Sequence, residues 1–212
     1  WTALLLAARE GHTEAVTALL AAPGLEVNAA AGGGETALIK AAAQGHTETV
    51  MALLAAPDLD VNTADGLGWT ALMIAAYGGH IETVRALLAA PGLDVNAARG
   101  DGRTALMDAA EAGHTEAVTA LLAAPGLDVN AAAGAGDTAL MQAANRGYTE
   151  TVTALLTAPG LEVNAATGDG WTALMMAAAR GHAETATALL AAPGVDVNAA
   201  TGSGHTALMA AA

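Results

Sequence analysis

The triplet Thr-Ala-Leu recurs at Thr2, Thr36, Thr70, Thr104, Thr138, Thr172 and Thr206, so the 212-residue chain repeats itself every 34 residues. A unit this short cannot bury its own apolar face. Copies must stack and share a continuous core, and chain length then counts repeats rather than domains. The spacing predicts one elongated domain over residues 1–212, with six full copies at 1–34, 35–68, 69–102, 103–136, 137–170 and 171–204 and the start of a seventh at 205–212. Function is expected on surfaces of such a stack rather than in an enclosed pocket.

Within a copy the punctuation predicts two short antiparallel helices. In the second copy Thr36 to Gln44 is Ala-rich and broken by Gly45, and Thr47 to Ala56 is closed by Pro57. Leu38, Ala41 and Ala42 share a face of the first helix, and Val50, Leu53 and Leu54 share a face of the second, which is the i, i+3, i+4 spacing of an amphipathic helix. Thr36 is suited to cap the first helix through its hydroxyl, and Gly45 to reverse the backbone where a side chain would resist. His46 falls in that turn. The stretch Leu59 to Gly68 alternates briefly and becomes glycine-rich, which predicts an extended loop with a tight turn.

These residues carry a resemblance. Thr70 to Met73, Thr-Ala-Leu-Met, stands where ankyrin repeats have Thr-Pro-Leu-His, and Ala75-Ala76 followed by Gly79-His80 matches their Ala-Ala-x-x-Gly-His. Val84, Leu87 and Leu88 match the second-helix signature, and Asp94-Val95-Asn96-Ala97 matches the segment before the next hairpin. Each copy therefore resembles an ankyrin repeat. The resemblance implies an all-α, ankyrin-type solenoid of stacked helix-turn-helix units joined by hairpin-like loops. It also implies that partners engage the concave side and its hairpin tips. The copies depart from the family in one extra loop residue and in Ala and Met at the Pro and His. Loss of that His predicts loops less firmly tied to their neighbours.

Framework positions of a repeat array meet the same neighbours each time and should agree, so disagreement between copies marks freedom or purpose. The residue before Thr reads Trp1, Glu35, Trp69, Arg103, Asp137, Trp171 and His205. Two positions after Leu the first helix reads Leu6, Lys40, Ile74, Asp108, Gln142, Met176 and Ala210, and the variable pairs before the turn include Tyr77-Gly78, Glu111-Ala112 and Asn145-Arg146. Positions such as 40, 43 and 44 form one helical stripe opposite the buried face, expected to face solvent. Second helices and the Ala-Pro-Gly-Leu loop hardly vary, so the variation concentrates on one surface. The expected partner-binding residues are Glu35, Lys40, Trp69, Ile74, Tyr77, Arg103, Asp108, Glu111, Asp137, Gln142, Asn145, Trp171 and Met176. Tryptophan, tyrosine and arginine dominate binding hot spots; the bland alternative is a tip Trp that only packs on its neighbouring hairpin.

Composition narrows the partners. Seven basic against 21 acidic residues give −14, which opposes the phosphate backbone, so no nucleic acid is expected. No apolar run approaches the ~18 residues of a membrane span, and no targeting segment is legible, which leaves cytoplasmic as a default. The chain has no cysteine, so disulfides and thiolate chemistry are excluded. Turn residues His12, His46, His80, His114 and His182 form a column, but copies about 10 Å apart cannot share a zinc ion bound at ~2.0–2.1 Å. The acidic column of Glu26, Asp60, Asp94, Asp128, Glu162 and Asp196 lacks calcium-loop spacing, and loop hydrogen bonding is its expected role. Gly32 to Gly34 is hairpin chemistry, and Ser203 beside His205 lacks the orienting partner of a nucleophile. The expectation is therefore no enzyme, no cofactor and no metal, but a protein-protein interaction module. Because Leu4, Val16, Leu19 and Leu20 sit in an unmodified first copy, the alternative is a structural scaffold or filament whose copies stack end to end.

Overall fold

In the structure, a computed structural model that describes residues 2–211, each copy forms the expected helix pair. The first helices are α1 (Ala3–Arg9), α3 (Ala37–Ala43), α5 (Ala71–Tyr77), α7 (Ala105–Ala112), α9 (Ala139–Arg146), α11 (Ala173–Ala179) and the start of another, α13 (Ala207–Ala210). The second helices are α2 (Thr13–Leu20), α4 (Thr47–Leu54), α6 (Ile81–Leu88), α8 (Thr115–Leu122), α10 (Thr149–Leu156) and α12 (Ala183–Leu190). First helices pack on first helices and second on second, so the array has two helical layers. The Thr of each triplet has extended backbone, and Thr36 Oγ1 accepts the Ile39 N–H at 3.4 Å. Thr2, Thr70, Thr138 and Thr172 do the same; Thr104 makes no such bond.

The core runs unbroken through the stack. Leu38, Ala41, Ala42, Val50 and Leu53 are buried as expected, while Leu54 is half-buried. The residue at the family's His position is core as well: Leu5, Ile39, Met73, Met107, Met141 and Met175 are each 1% exposed. Methionine there fills space between copies with an adaptable, unbranched side chain. The hairpin before α9 pairs β1 (Ala132–Ala133) with β2 (Asp137–Thr138) antiparallel, and single bridges such as Ala64 to Thr70 mark the equivalent turns.

The loops are not loosely tied, contrary to the expectation from the missing His. Asn62 donates from Nδ2 to the Gly92 carbonyl at 2.8 Å and accepts the Asp94 N–H through Oδ1 at 2.8 Å. Asn28, Asn96, Asn130 and Asn164 repeat both bonds, an asparagine ladder along the outer loops. On the opposite side backbone bonds join successive hairpin tips, as from Gly66 N–H to the Gly33 carbonyl at 2.8 Å. These bonds satisfy polar groups that stacking removes from water.

A third ladder joins the second helices, where Thr13 meets Thr49, Thr47 meets Thr83, Thr115 meets Thr151 and Thr149 meets Thr185, each at 2.8 Å. The same 36-residue step from Ile81 leads to Ala117, so where one hydroxyl is lost its partner is lost too. A buried hydroxyl without a partner costs roughly 1–3 kcal/mol. Ala117→Thr is therefore expected to destabilise the chain by about that amount, with Ile81→Thr/Ala117→Thr recovering most of it, both read by urea unfolding. Additive losses would show that the pairing is incidental.

Candidate protein-binding face

Each hairpin tip lies immediately before the capping Thr, so its side chain falls over the first turn of its own first helix. The variable positions are thereby coupled in pairs five residues apart. Glu35 pairs with Lys40 at 2.5 Å, and Arg103 pairs with Asp108 at 3.0 Å with the signs exchanged. Trp69 and Ile74 line one cleft, and Trp171 and Met176 line another. Charge thus accompanies opposite charge, and indole accompanies an apolar side chain. Asp137 and Gln142 are both half-buried. Trp1 lies outside the described residues.

The stripe is not uniformly solvent-facing. Asp108 is 1% exposed, which corrects the expectation, because two arginines and the hairpin close over it. Its Oδ1 lies 3.0 Å from Arg103 Nε and 3.5 Å from a terminal nitrogen of Arg99, while Oδ2 has no hydrogen-bond partner. Arg103 also bonds Glu111, Arg146 reaches Glu111 from the next copy at 2.7 Å, and Arg99 lies 3.4 Å from Asp101. Three cations and three anions make a continuous chain of ion pairs over copies three to five. Burial pushes the Asp108 carboxyl above the ordinary aspartate range, against the pull of Arg99 and Arg103. For Glu111 burial also acts upward, but bonding to Arg146 and the charge of Arg103 prevail and hold it below the ordinary glutamate range.

Two apolar clefts flank this network. At one, the Arg99 guanidinium lies over the Trp69 ring, 3.9 Å from its centroid, and Tyr77 meets Trp69 edge-on at 5.7 Å and 64°. Arg99 covers one face of the indole and Tyr77 braces it, yet Trp69 remains only half-buried, beside Leu67 and Tyr77, 77% and 51% exposed. With Ala43, Asp65, Ile74 and Gly78 they enclose a cleft of about 320 Å³. The other cleft, about 400 Å³, is lined by Asn145, Trp171, Met176, Ala179 and Arg180. Arg180 donates to the Asn145 side chain at 3.1 Å. Six of the chain's seven basic residues, Arg9, Lys40, Arg99, Arg103, Arg146 and Arg180, lie in the hairpins or at the first helices, so the face is far closer to neutral than the rest of the surface.

Sequence reasoning did not place Arg99 or Leu67 in this face. Arg99 was legible only through its neighbours, since it and Arg103 bracket Asp101 in the hairpin just ahead of Asp108. The two columns read as structural do structural work. His46, His80 and His182 each bond through Nε2 a carbonyl of the preceding first helix at 3.1–3.2 Å. In the acidic column Asp60, Asp94, Asp128 and Asp196 accept the N–H two residues on, at 2.9–3.0 Å.

The sequence model "Ankyrin repeats (3 copies)" matches residues 1–65, 57–133, 92–167 and 140–212, which together span the whole chain. The chain belongs to the ankyrin repeat family. Among solved structures it is similar to the ankyrin repeat domain of Bcl-3, described as a unique member of the IkappaB protein family, with 30% identity, TM-score 0.89, and coverage of 100% of this chain and 94% of that one. The ankyrin repeat protein EF0377 aligns at 27% identity and TM-score 0.82 over 89% of this chain and 96% of its own. The human ASB11 ankyrin repeat domain aligns at 26% identity and TM-score 0.83 over 100% and 92%. A comparison with curated protein sequences gives no match. Ankyrin repeat domains are in general protein-protein interaction modules, and the hairpin tips and first helices of this one form a continuous face.

Proposed function

We propose that this ankyrin repeat domain is a non-enzymatic recognition module that binds a protein or peptide partner across its hairpin tips and first helices. The observation that carries the reading is the pair of Trp clefts. They occupy the positions at which the copies differ most, while the framework beneath them repeats almost unchanged. Arg99 and Tyr77 hold Trp69 in place before any partner arrives, so little side-chain entropy remains to be lost on binding. Arg103, Glu111, Asp137 and Gln142 between the clefts, Asn145 at the rim of the second, and Glu35 and Lys40 one copy before the first supply polar contacts that set register rather than bulk affinity. Asp108 acts from below by fixing the two arginines.

Equivalent tips three copies apart stand about 30 Å from one another at the spacing of packed helices. A partner segment that reaches both clefts in extended form needs about nine residues. Trp69→Ala/Trp171→Ala is expected to weaken a partner captured on the wild-type chain by at least about tenfold, since one lost hot-spot anchor costs about 2 kcal/mol. The melting temperature should fall only slightly, and binding should quench indole fluorescence in the wild type. Unchanged affinity in a folded double variant would remove the clefts from the interface.

A further inference from the structure

The second helices are less uniform than they first read. Their fifth residue is Thr17, Met51, Arg85, Thr119, Thr153 and Thr187. All four threonines turn their hydroxyl back onto the carbonyl four residues earlier, at 2.8–2.9 Å. The two exceptions are adjacent copies, and both line one cleft of about 510 Å³ between α4 and α6. Its floor is Leu54, Ala55, Ala86 and Ala89, with Met51 58% exposed. This cleft lies in the layer of second helices, away from the Trp clefts.

Arg85 has a further singularity. Among the described residues it is the one basic side chain with no ion pair or hydrogen bond, since Arg9, Lys40, Arg99, Arg103, Arg146 and Arg180 all have partners. It is also the only cation of the second helices, each of which carries a Glu at its second residue. Glu82 lies one turn before Arg85 on the same cleft wall. A free cation and an anion one helical turn apart, above an apolar floor between two neighbouring helices, match the side of a third helix.

We infer that the α4/α6 cleft is a second docking site, whose occupant is an amphipathic helix of a partner protein. The helix lays an apolar ridge against Met51, Ala55 and Ala89. It sets an Asp or Glu against Arg85 and, a turn away, a Lys or Arg against Glu82. Acidic surroundings reject a helix whose only charges are negative, so the mixed pair is the specifying element.

The test is selection of helix-forming peptides displayed on phage against the immobilised chain, followed by titration of the selected peptides. The reference variant is Met51→Thr/Arg85→Thr, which installs the residue of the four other copies and should leave the circular dichroism and melting curve unchanged. Peptides of this site should bind Trp69→Ala/Trp171→Ala normally and lose at least tenfold on the threonine variant. They should carry apolar residues at i, i+3 or i+4 and i+7 with an acid and a base one turn apart, and exchanging those two charges should restore binding to Glu82→Arg/Arg85→Glu. The proposal fails if no selected peptide distinguishes wild type from the threonine variant. It fails equally if those that do are extended, or bind without the acidic residue.

Discussion

Asp108→Ala is expected to destabilise the chain by about 3 kcal/mol, because it removes the buried carboxylate that Arg99 and Arg103 share and leaves these largely enclosed cations only the more exposed Asp101 and Glu111. The buried pair is itself not the source of stability, since desolvation of its charges offsets most of their attraction. Arg103→Trp/Asp108→Met, which rebuilds the indole and methionine of the sixth copy, should therefore recover most of the loss. Arg99 would keep Asp101 and its place near Trp69. A double variant as unstable as the single one would mean that Asp108 supports the fold by some route other than the two arginines.

The same carboxylate gives acid stability an unusual sign. A carboxyl raised in the folded state contributes most below its unfolded value of about 3.9 and loses that contribution as pH rises through the folded value. Glu111, which is lowered, contributes above its unfolded value of about 4.3 and is lost as pH falls. Between about pH 6 and 4, the melting-temperature advantage of wild type over Asp108→Asn should grow, while its advantage over Glu111→Gln should shrink. Parallel profiles would contradict the opposed titrations.

The second large effect is expected at a turn. Gly45 has φ of +68°, and a Cβ there would lie 2.6 Å from Nδ1 of His80 in the next copy. Gly45→Ala thus combines left-handed strain of roughly 1–2 kcal/mol with displacement of a ring that bonds the Ala43 carbonyl, a loss of about 3 kcal/mol in all. Gly181 has nearly the same φ, +71°, but nothing within 4 Å of its Cβ position, so Gly181→Ala should show the strain alone. In urea unfolding, Gly45→Ala/His80→Ala should be less destabilised than the sum of its parts. Strict additivity would show that the ring is not what the methyl meets.

Repeat length, helix pairs, capping threonines and turn glycines were all legible in the sequence, because each follows from local rules that act within a copy. The burial of Asp108 was not, because it depends on Arg99 and Arg103 arriving from the preceding hairpin and on Glu111 and Arg146 completing the network. A charged residue on an amphipathic helix ordinarily marks the wet side, and only the folded hairpin reverses that. The tip-to-helix pairing was not read from the sequence, although Glu35 with Lys40 and Arg103 with Asp108 are mirror images there. It gained meaning once a five-residue step was seen to bring the side chains together. Likewise, Ile81 beside Ala117 reads as drift until the threonine ladder gives their 36-residue separation a purpose.

Every ladder bond joins residues 30 to 37 positions apart, whichever copies it connects. The closure entropy of a contact is therefore the same anywhere along the array, and relative contact order falls as copies are added. A deletion or duplication of one whole period, cut at any residue, rejoins equivalent positions and leaves every ladder in phase. A change by any other length puts the asparagines, threonines and turn histidines out of step at once. Such a chain can change its copy number freely, and each step taken between the Trp clefts moves them apart or together by one copy without redesign of the core.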